Sequence, residues 1–415
     1  MSTIAIAAIG SRGDVAPMTG VGVRLKQAGH RVVIAAFKLF ADLITGCGLE
    51  FRELPYDFTP GSDHYEGSAA KGLLEFFGPG GMRTKGQALL TAMRYEPADL
   101  LLLSPLSEFA GHPLAEAMGI PSVGMRLQPV SATTAYPPTA LGCWSAGGLG
   151  NRFAADAAAW AVDRVYGRVI ADLRHDLGLP KRSTRALRRQ RTGAQWPVLH
   201  GYSPSILPRP ADWRAGLDVV GYWWPAPVPN WRPPEVLIDF LAAGPAPVCI
   251  SFGSLITTVR RAEQLSDIVS RALRQAGVRG IVQAGWTGVE VAGDDILSVG
   301  EIPHDWLFPQ MAAVVHHCGA GTTAAALRAG VPTVAIPNPI YDQPFWARHL
   351  QNIGASSATI LQPVLTPDRL AQAIRSAVEN PQLRKVTQRL ANQMDSEDGA
   401  TKVLTTVESL VGQPV

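Results

Sequence analysis

The residues with the clearest capacity for chemistry lie in the last third of the chain. Residues 316–323 read HHCGAGTT, after an apolar run and before a helical pattern. The first turn of a helix presents unpaired N–H groups and the positive end of the helix dipole. Glycines let an anion approach the backbone, and the Thr322 hydroxyl and the His317 ring add donors. The spacing indicates an anion site. A glycine-rich turn without a ligand would show the same pattern, and no Gly-Lys-Ser/Thr follows to make it a Walker A loop.

A second pair of polar residues follows the next predicted strand. Asp342 and Gln343 stand where another helix should begin. In an open α/β sheet, ligands bind outside the carboxyl ends of the strands, so this pair would share a rim with His317 and Thr322. A carboxylate beside an amide suits hydrogen bonds with sugar hydroxyls. A helix N-cap carboxylate explains Asp342 equally well.

The elements around these residues alternate short apolar runs with helix-length periodic segments, which is typical of α/β proteins with parallel sheets. In the first half, residues 4–9 predict a strand, residues 10–14 a glycine-bearing turn, and Pro17 the start of a helix that ends at Ala28. Further strands are predicted at residues 32–36, 49–54, 100–103 and 122–125.

The second half repeats this order of elements. It predicts strands at 248–252, 281–283, 296–299, 313–316 and 333–336, and helices at 262–275, 322–329, 343–353 and 367–378. A proline-rich stretch, 204–234, separates the halves and indicates a linker. We therefore predict one domain over 1–220, a second over 221–383, and a helical tail over 384–415 that packs back on the first domain.

Composition limits the function classes. Hydrophobic residues make up 47% and charged residues 17% of 415, which excludes a disordered chain. Lys plus Arg is 37 and Asp plus Glu is 34, a net charge of +3, which argues against a nucleic-acid partner. Four scattered cysteines form no CxxC pair, so neither a zinc site nor a disulfide framework is expected. With no signal peptide pattern and no long apolar run, we expect a cytoplasmic location.

One basic segment allows two interpretations. Residues 181–191 contain Lys181 and five arginines. They could form a solvated helix face, or contact an anionic membrane surface.

Four motifs along nearly the whole chain resemble those of a known family. They are GSRGDV at 10–15, the segment 202–213 with GYW at 221–223, SFGS at 251–254, and the run from IPHDW at 302–306 to DQPFW at 342–346. Together they resemble GT-B glycosyltransferases of the nucleotide-sugar family 1 type. Within that family they are most similar to sterol glucosyltransferases and to bacterial transferases acting on antibiotic and lipid aglycones. The resemblance implies an α/β fold of two Rossmann-like domains with parallel sheets facing across a cleft.

The resemblance also implies a division of labour, with the donor in the second domain and the acceptor in the first. His317, Gly319, Gly321 and Thr322 match diphosphate-binding positions, Asp342 and Gln343 match the pair that holds the sugar, and Ser254 matches a donor-contacting serine. The expected donor-binding residues also include Ile302 and Trp306, in the segment that borders the base, and Ser11, Arg12 and Gly13 of the first motif.

The catalytic base implied by the resemblance is Asp14. Many relatives carry a histidine in a Gly-His-x-x-Pro turn, and Asp14 occupies that position here, as in the sterol and glycopeptide branch. A carboxylate within hydrogen-bond reach can remove the proton of an attacking hydroxyl. The alternative is that Asp14 only caps the following helix. The implied reaction is a single displacement that inverts the anomeric carbon.

Departures from the family's motifs leave the nucleotide and the sugar of the donor undecided. Ala325 replaces the glutamate that holds the ribose in plant relatives, and Glu301 falls near their base-stacking tryptophan. UDP versus dTDP is therefore undecided, with glucose from UDP as the first expectation and a dTDP-deoxysugar as the alternative. No Asp-x-Asp motif is present, so no essential metal and no other cofactor is predicted.

The acceptor is predicted to bind among residues 56–100 and 130–175, outside the predicted sheet. These segments are rich in large apolar side chains, which would suit a lipophilic alcohol such as a sterol or polyketide. Ordinary core packing is the alternative for each of them: Phe76, Phe77, Met82, Met93, Trp144 and Trp160. A GT-B epimerase or a non-catalytic partner protein are the competing functions.

Overall fold

Two parallel sheets organise the chain in the computed structural model, which describes residues 1–57, 75–139, 142, 144–253 and 257–412. One sheet has seven strands and the other six. Every strand pairing within them is parallel. The predicted α/β class with two parallel sheets is confirmed.

The first sheet takes all its strands from the first half of the chain, in the order β3-β2-β1-β4-β5-β6-β7. Strands β1, β2 and β4 are almost entirely buried, as expected for parallel strands covered by helices on both faces. The strands are β1 (Thr3–Ala7), β2 (Arg31–Phe37), β3 (Glu50–Leu54), β4 (Leu100–Leu103), β5 (Ser122–Arg126), β6 (Val198–His200) and β7 (Leu217–Val219). The helices are α1 (Arg12–Gln27), α2 (Ala41–Gly46), α3 (Pro79–Met93), α4 (Glu108–Met118), α5 (Gly147–Asp176) and α6 (Thr184–Gly193).

The second sheet repeats the same winding, in the order β10-β9-β8-β11-β12-β13. Its strands are β8 (Val248–Ser251), β9 (Gly280–Gln283), β10 (Ile296–Val299), β11 (Ala313–His316), β12 (Thr333–Ala335) and β13 (Ser356–Thr359). The helices are α7 (Glu235–Ala242), α8 (Val259–Ala276), α9 (His304–Leu307), α10 (Ala320–Arg328), α11 (Gln343–Asn352), α12 (Pro367–Glu379), α13 (Pro381–Met394) and α14 (Gly399–Val411).

Helix α1 begins five residues earlier than predicted. It starts at Arg12 rather than Pro17, so Asp14 lies in its first turn and not in a glycine turn. The physical reason is the hydrogen bond from the Ser11 backbone N–H to Asp14 Oδ2, 2.8 Å long, which closes the first turn. Pro17 lies inside the helix, where it has no N–H to donate to the carbonyl four residues earlier.

Strand β7 and helix α5 are among the elements that were not predicted. Strand β7 falls inside the proline-rich stretch and pairs with β6, so part of that stretch extends the first sheet. Helix α5 is 30 residues long but has no continuous apolar stripe, because several of its large apolar side chains face solvent. The periodicity that would reveal a core-facing helix is therefore weak there.

Helix α1 connects the two halves and the C-terminal segment. Val403, Leu404 and Val407 of α14 belong to the same buried core as the first sheet. Arg24 of α1 donates from Nε to Thr401 Oγ1 at 3.1 Å. On the same helix, the buried Thr19 hydroxyl accepts the Ala226 N–H at 3.0 Å. The segment that connects the two sheets therefore contacts α1. The domain limits at residues 220 and 383 stay predictions.

We find no helix, over the ranges described, that combines the length and apolarity needed to cross a bilayer.

Candidate functional site

The site lies where the strand order reverses in each sheet. The first sheet reverses between β1 and β4, and the second between β8 and β11. Such reversals open a crevice at the carboxyl ends of the strands, where α/β proteins bind ligands. The chain after β1 leads to Asp14, and the chain after β8 and β11 leads to Gly253 and His317. The topology alone therefore brings the predicted residues to the two crevices.

The His317 ring is enclosed by the backbone of two glycines. A Cβ atom at Gly253 would lie 2.2 Å from the ring atom Cε1, and one at Gly319 would lie 2.4 Å from Nε2. Gly253 also has a φ of +65°, which disfavours any other residue. Burial lowers the pKa of His317 to about 4, so the ring is neutral at pH 7. It can donate one hydrogen bond to an anion, and an adjacent diphosphate would favour its protonated form.

Helix α10 begins directly beside this ring. Gly319 is its N-cap, and the buried Thr322 lies in its first turn. Around Gly321 the backbone is open, since a Cβ atom there would meet nothing within 4 Å. Cys318 holds a φ of +65°, an uncommon conformation for a residue other than glycine. The first-turn N–H groups and His317 thus lie together, as the sequence predicts, and binding of an anion by them stays a prediction.

Asp342 and Gln343 lie at the start of α11, and both have fixed side chains. The indole Nε1 of Trp346 donates to Asp342 Oδ2 at 3.0 Å. The backbone N–H of Asn338 donates to Gln343 Oε1 at 2.9 Å, which leaves the Gln343 amide N–H groups to face a ligand. Burial is the largest cause that raises the pKa of Asp342, to about 6, and the nearby Asp14 carboxylate adds to it.

Asp14 lies opposite Asp342. Its Oδ2 accepts from the backbone N–H of Ser11 at 2.8 Å and from the Ser11 hydroxyl at 3.0 Å, which fixes the carboxylate. Burial raises the pKa of Asp14, although hydrogen bonds from Ser11 and Gln128 lower it. Its charge also raises the pKa values of Asp342 and Tyr341 in the second half of the chain. A fixed carboxylate with a raised pKa is suited to accept a proton.

Aromatic side chains form a wall beside these carboxylates. The rings of Phe77 and Tyr341 lie 5.3 Å apart, which joins the two halves of the chain. The Tyr166 hydroxyl donates to the Phe77 carbonyl at 2.6 Å. Tyr341 has a φ of +54°, a strained conformation that is often found at functional sites. Tyr341 thus brings aromatic surface near Asp14, whose charge adds to burial in raising the pKa of Tyr341. Binding of an acceptor there stays a prediction.

Of the other side chains named for the acceptor region, Phe76 packs against Phe77 with ring centres 4.8 Å apart, and the remaining four lie elsewhere. Met82 and Met93 are buried among core residues, so ordinary packing explains them. Trp144 and Trp160 are 46% and 63% exposed at the protein surface. Residues 58–74 of the predicted acceptor region lie outside the described residues.

The predicted base-bordering residues lie in an apolar cluster. Ile302 is buried there, and its carbonyl accepts from Gln283 Nε2 at 3.1 Å. The Trp306 ring packs against Trp231, 5.4 Å away. In the same segment, burial lowers the pKa of His304 to about 4, and the nearby His317 and Arg12 lower it further. The roles of Ile302 and Trp306 stay predictions.

The remaining predicted donor residues belong to the first turn of α1, apart from Ser254, which lies outside the described residues. Ser11 holds Asp14, and Gly13 is exposed. Arg12 Nη1 lies 3.0 Å from Glu301 Oε2, an ion pair between the two halves of the chain. Both side chains are well exposed, so the pair adds little stability.

Several residues of the site were not predicted from sequence. Tyr341 immediately precedes Asp342, and Trp346 follows it by four residues. The i,i+4 spacing on a helix would have indicated that Trp346 contacts Asp342. Gln283 had no sequence signal and His304 only its place in the motif at 302–306, because their hydrogen bond, 3.1 Å from Oε1 to Nε2, joins distant elements.

Asp342 is predicted to hold the sugar part of a donor, and this binding should weaken in acid. Asp342 has a pKa raised to about 6, and its charged form accepts hydrogen bonds more strongly than its neutral form. As the pH falls through about 6, we expect the affinity for a nucleotide sugar to fall toward that for the nucleotide alone. Calorimetric titration of both ligands between pH 5 and 8 measures this. Asp342→Asn is the control, in which the ratio of the two affinities should not change with pH. In the unaltered protein, a ratio of the affinities for nucleotide sugar and nucleotide that does not change with pH would contradict the predicted role of Asp342.

The sequence matches two described families and curated enzymes along its length. Residues 4–97 match the glycosyltransferase family 28 N-terminal domain, and residues 282–410 match the erythromycin biosynthesis protein CIII-like C-terminal domain. The chain is 33% identical over 423 residues to an O-mycaminosyltylonolide 6-deoxyallosyltransferase from Streptomyces fradiae, covering 98% of this chain and 96% of that enzyme. It is 32% identical over 416 residues to a sterol 3-beta-glucosyltransferase from Arabidopsis thaliana, covering 94% of this chain but 63% of the plant enzyme.

Solved structures share the fold. The spinosyn forosaminyltransferase SpnP superposes with a TM-score of 0.71 at 15% identity, covering 99% of this chain and 100% of that one. The glycosyltransferase VinC in complex with dTDP superposes with a TM-score of 0.65 at 19% identity, with coverage of 99% and 100%. With the two crevices and the near full-length match to the Streptomyces enzyme, these similarities show that the chain belongs to the GT-B nucleotide-sugar glycosyltransferases, the family of sterol glucosyltransferases and macrolide sugar transferases.

Proposed function

We propose that the protein transfers a hexose from a nucleoside diphosphate sugar to a hydroxyl of a lipophilic acceptor, with inversion at the anomeric carbon. The acceptor oxygen forms a bond to the anomeric carbon while the bond from that carbon to the diphosphate oxygen breaks. Asp14 takes the hydroxyl proton, and the nucleoside diphosphate leaves. Negative charge then grows on the leaving phosphate, at the start of α10 and beside His317.

The observation that carries this proposal is the pairing of Asp14 with Asp342 across the two halves. One fixed carboxylate can accept the proton from one side, and the other can hold the sugar hydroxyls from the opposite side. Burial raises the pKa of both carboxyl groups, and the Asp14 charge raises that of Asp342 further, so a ligand bound between them would change their protonation. The start of α10 supplies the positive potential that a metal ion provides in other transferases, so we propose that no divalent ion is essential.

Two donors fit this site. UDP-glucose is the first candidate, supported by the similarity to sterol glucosyltransferases. A dTDP-deoxysugar is the second, favoured by the Streptomyces relative named as a deoxyallosyltransferase and by the solved relatives in complex with dTDP. Ala325, in place of the glutamate that holds the ribose in plant relatives, cannot accept from a 2′-hydroxyl, so a nucleotide without that hydroxyl loses no hydrogen bond there.

The acceptor is proposed to be lipophilic because Tyr341 lies near Asp14, and Phe77 and Tyr166 extend this aromatic surface. Rings in this arrangement exclude water from the attacking hydroxyl and bind flat apolar molecules through dispersion and ring stacking. Sterols and polyketides both have that shape. The aromatic wall does not distinguish between them.

Calorimetric titration with UDP and with dTDP in parallel tests the donor site first. We expect one nucleotide to bind at least about tenfold more tightly than the other, a difference of about 1.4 kcal/mol. Transfer assays with the matching sugar and a panel of sterols and macrolactones then identify the acceptor, with and without a chelator. Binding of neither nucleotide would contradict the donor site and favour a non-catalytic partner protein. Loss of activity on chelation would contradict the metal-free proposal.

A further inference from the structure

Helix α5 carries an exposed apolar face. Leu149, Phe153 and Trp160 are 88%, 75% and 63% exposed. With Ala157 between them, their spacings of four, four and three residues place them on one side of the helix. Single exposed apolar residues are common, but three large ones on one helix face are typical of an interaction surface.

Arginines border this face at its C-terminal end. Trp160, Arg164 and Arg185 line one shallow groove between α5 and α6. Arg188 in the same groove is paired with Asp163 at 3.1 Å. Arg164 and Arg185 are exposed, and neither has an ion pair with any residue in the described ranges. Their charges are therefore available to an anionic partner.

We propose that Leu149, Phe153 and Trp160, with Arg164 and Arg185, dock the protein on a bilayer that contains anionic lipids. Apolar side chains and a tryptophan enter the interface between headgroups and acyl chains, while arginines contact the phosphates. Either contribution alone gives weak binding, and the two together give stable attachment. A bilayer with anionic headgroups uses both the apolar side chains and the unpaired arginines at their edge. The charge at the edge of the apolar face therefore favours the membrane.

The opposite side of α5 faces the proposed acceptor site. The Tyr166 hydroxyl donates to the Phe77 carbonyl at 2.6 Å, and the Phe77 ring contacts Tyr341 beside Asp342. A helix is about 10 Å across, so the docked face and the aromatic wall are separated by one helix diameter. This step rests on the proposed lipophilic acceptor, which a membrane would hold close to the site. Membrane binding itself does not depend on it.

Vesicle co-sedimentation tests the proposal. We expect the full chain to bind vesicles of equal parts phosphatidylcholine and phosphatidylglycerol, and to bind phosphatidylcholine alone at least about tenfold less. Phe153→Ser with Trp160→Ser should abolish binding to the mixed vesicles. Arg164→Gln with Arg185→Gln should weaken it about 30-fold, since each charge near an anionic surface contributes about fivefold, and added salt should have the same effect. The matched controls Val236→Ser and Arg389→Gln, exposed on the second half of the chain, should bind as the unaltered protein does.

Other results would overturn the proposal. Absence of binding by the unaltered chain to the mixed vesicles is one. Equal binding to both vesicle types is another. A dimer in sedimentation velocity that Phe153→Ser with Trp160→Ser dissociates would assign this face to a second copy. Affinity for UDP or dTDP, measured on every variant, shows that the fold and donor site are intact and separates this test from that of the proposed function.

Discussion

Asp14→Asn should lower turnover about 10²- to 10⁴-fold while the affinity for the nucleoside diphosphate stays within about twofold. The size of the loss is that of a positioned general base. Asparagine has nearly the same shape, and its amide oxygen can still accept the Ser11 N–H that closes the first turn of α1. The substitution therefore removes the proton acceptor and retains the helix start. Steady-state kinetics with saturating donor, together with calorimetry of nucleotide binding, measure the two quantities.

The pH dependence of this variant adds an independent check. In the unaltered protein the raised pKa of Asp14 means that activity is present when the carboxylate is charged and is lost as the pH falls through that pKa. In Asp14→Asn the residual rate should lack this acid limb. Asp42→Asn, an exposed carboxylate on α2, is the matched control and should behave as the unaltered protein. Turnover of Asp14→Asn within a few-fold of the unaltered protein would leave Asp14 with a helix-capping role only.

The sequence was sufficient to predict elements whose signals are local. The glycine-rich start of α10 after β11 and the start of α11 at Gln343 follow from apolar runs, glycines and a proline at fixed offsets. Because parallel strands end at one rim, their order along the chain also placed His317 near Asp342. The start of α1 was misplaced because Pro17 was taken as the first helical residue, whereas the Ser11–Asp14 hydrogen bond decides it.

The missed features depend on contacts between distant segments. The Tyr341 ring is informative only because Phe77, some 260 residues earlier, lies against it. Arg12 and Glu301 likewise meet only when the two halves assemble. The exposed apolar residues of α5 obscured the spacing of apolar residues by which a core-facing helix is detected. An apolar surface that binds a partner has this effect in general. Local sequence therefore indicated where the donor site is, and tertiary structure was needed for the acceptor side.

His317→Ala should lower turnover about 10²- to 10³-fold, the loss typical of removing one donor to a developing oxyanion. The ring lies between Gly253 and Gly319 at the start of α10, where the leaving diphosphate is expected. With a pKa of about 4 it is neutral in the free protein, so its contribution to binding the ground state is that of one neutral hydrogen bond. Its contribution grows as charge develops on the phosphate. The loss should therefore be larger in turnover than in the affinity for the donor.

Gly319→Ala tests the same position without removing the imidazole. Its Cβ atom would lie 2.4 Å from His317 Nε2 and must displace the ring, so turnover should fall to a similar degree. Gly193→Ala at the end of α6, where an added Cβ meets nothing within 4 Å, is the control for an alanine substitution in open space. Calorimetry should show weaker binding of the nucleoside diphosphate and unchanged binding of the nucleoside, because only the diphosphate reaches the ring. Equal losses for both ligands would instead mean that the substitutions disturb the whole nucleotide site, and His317 would then be a packing residue.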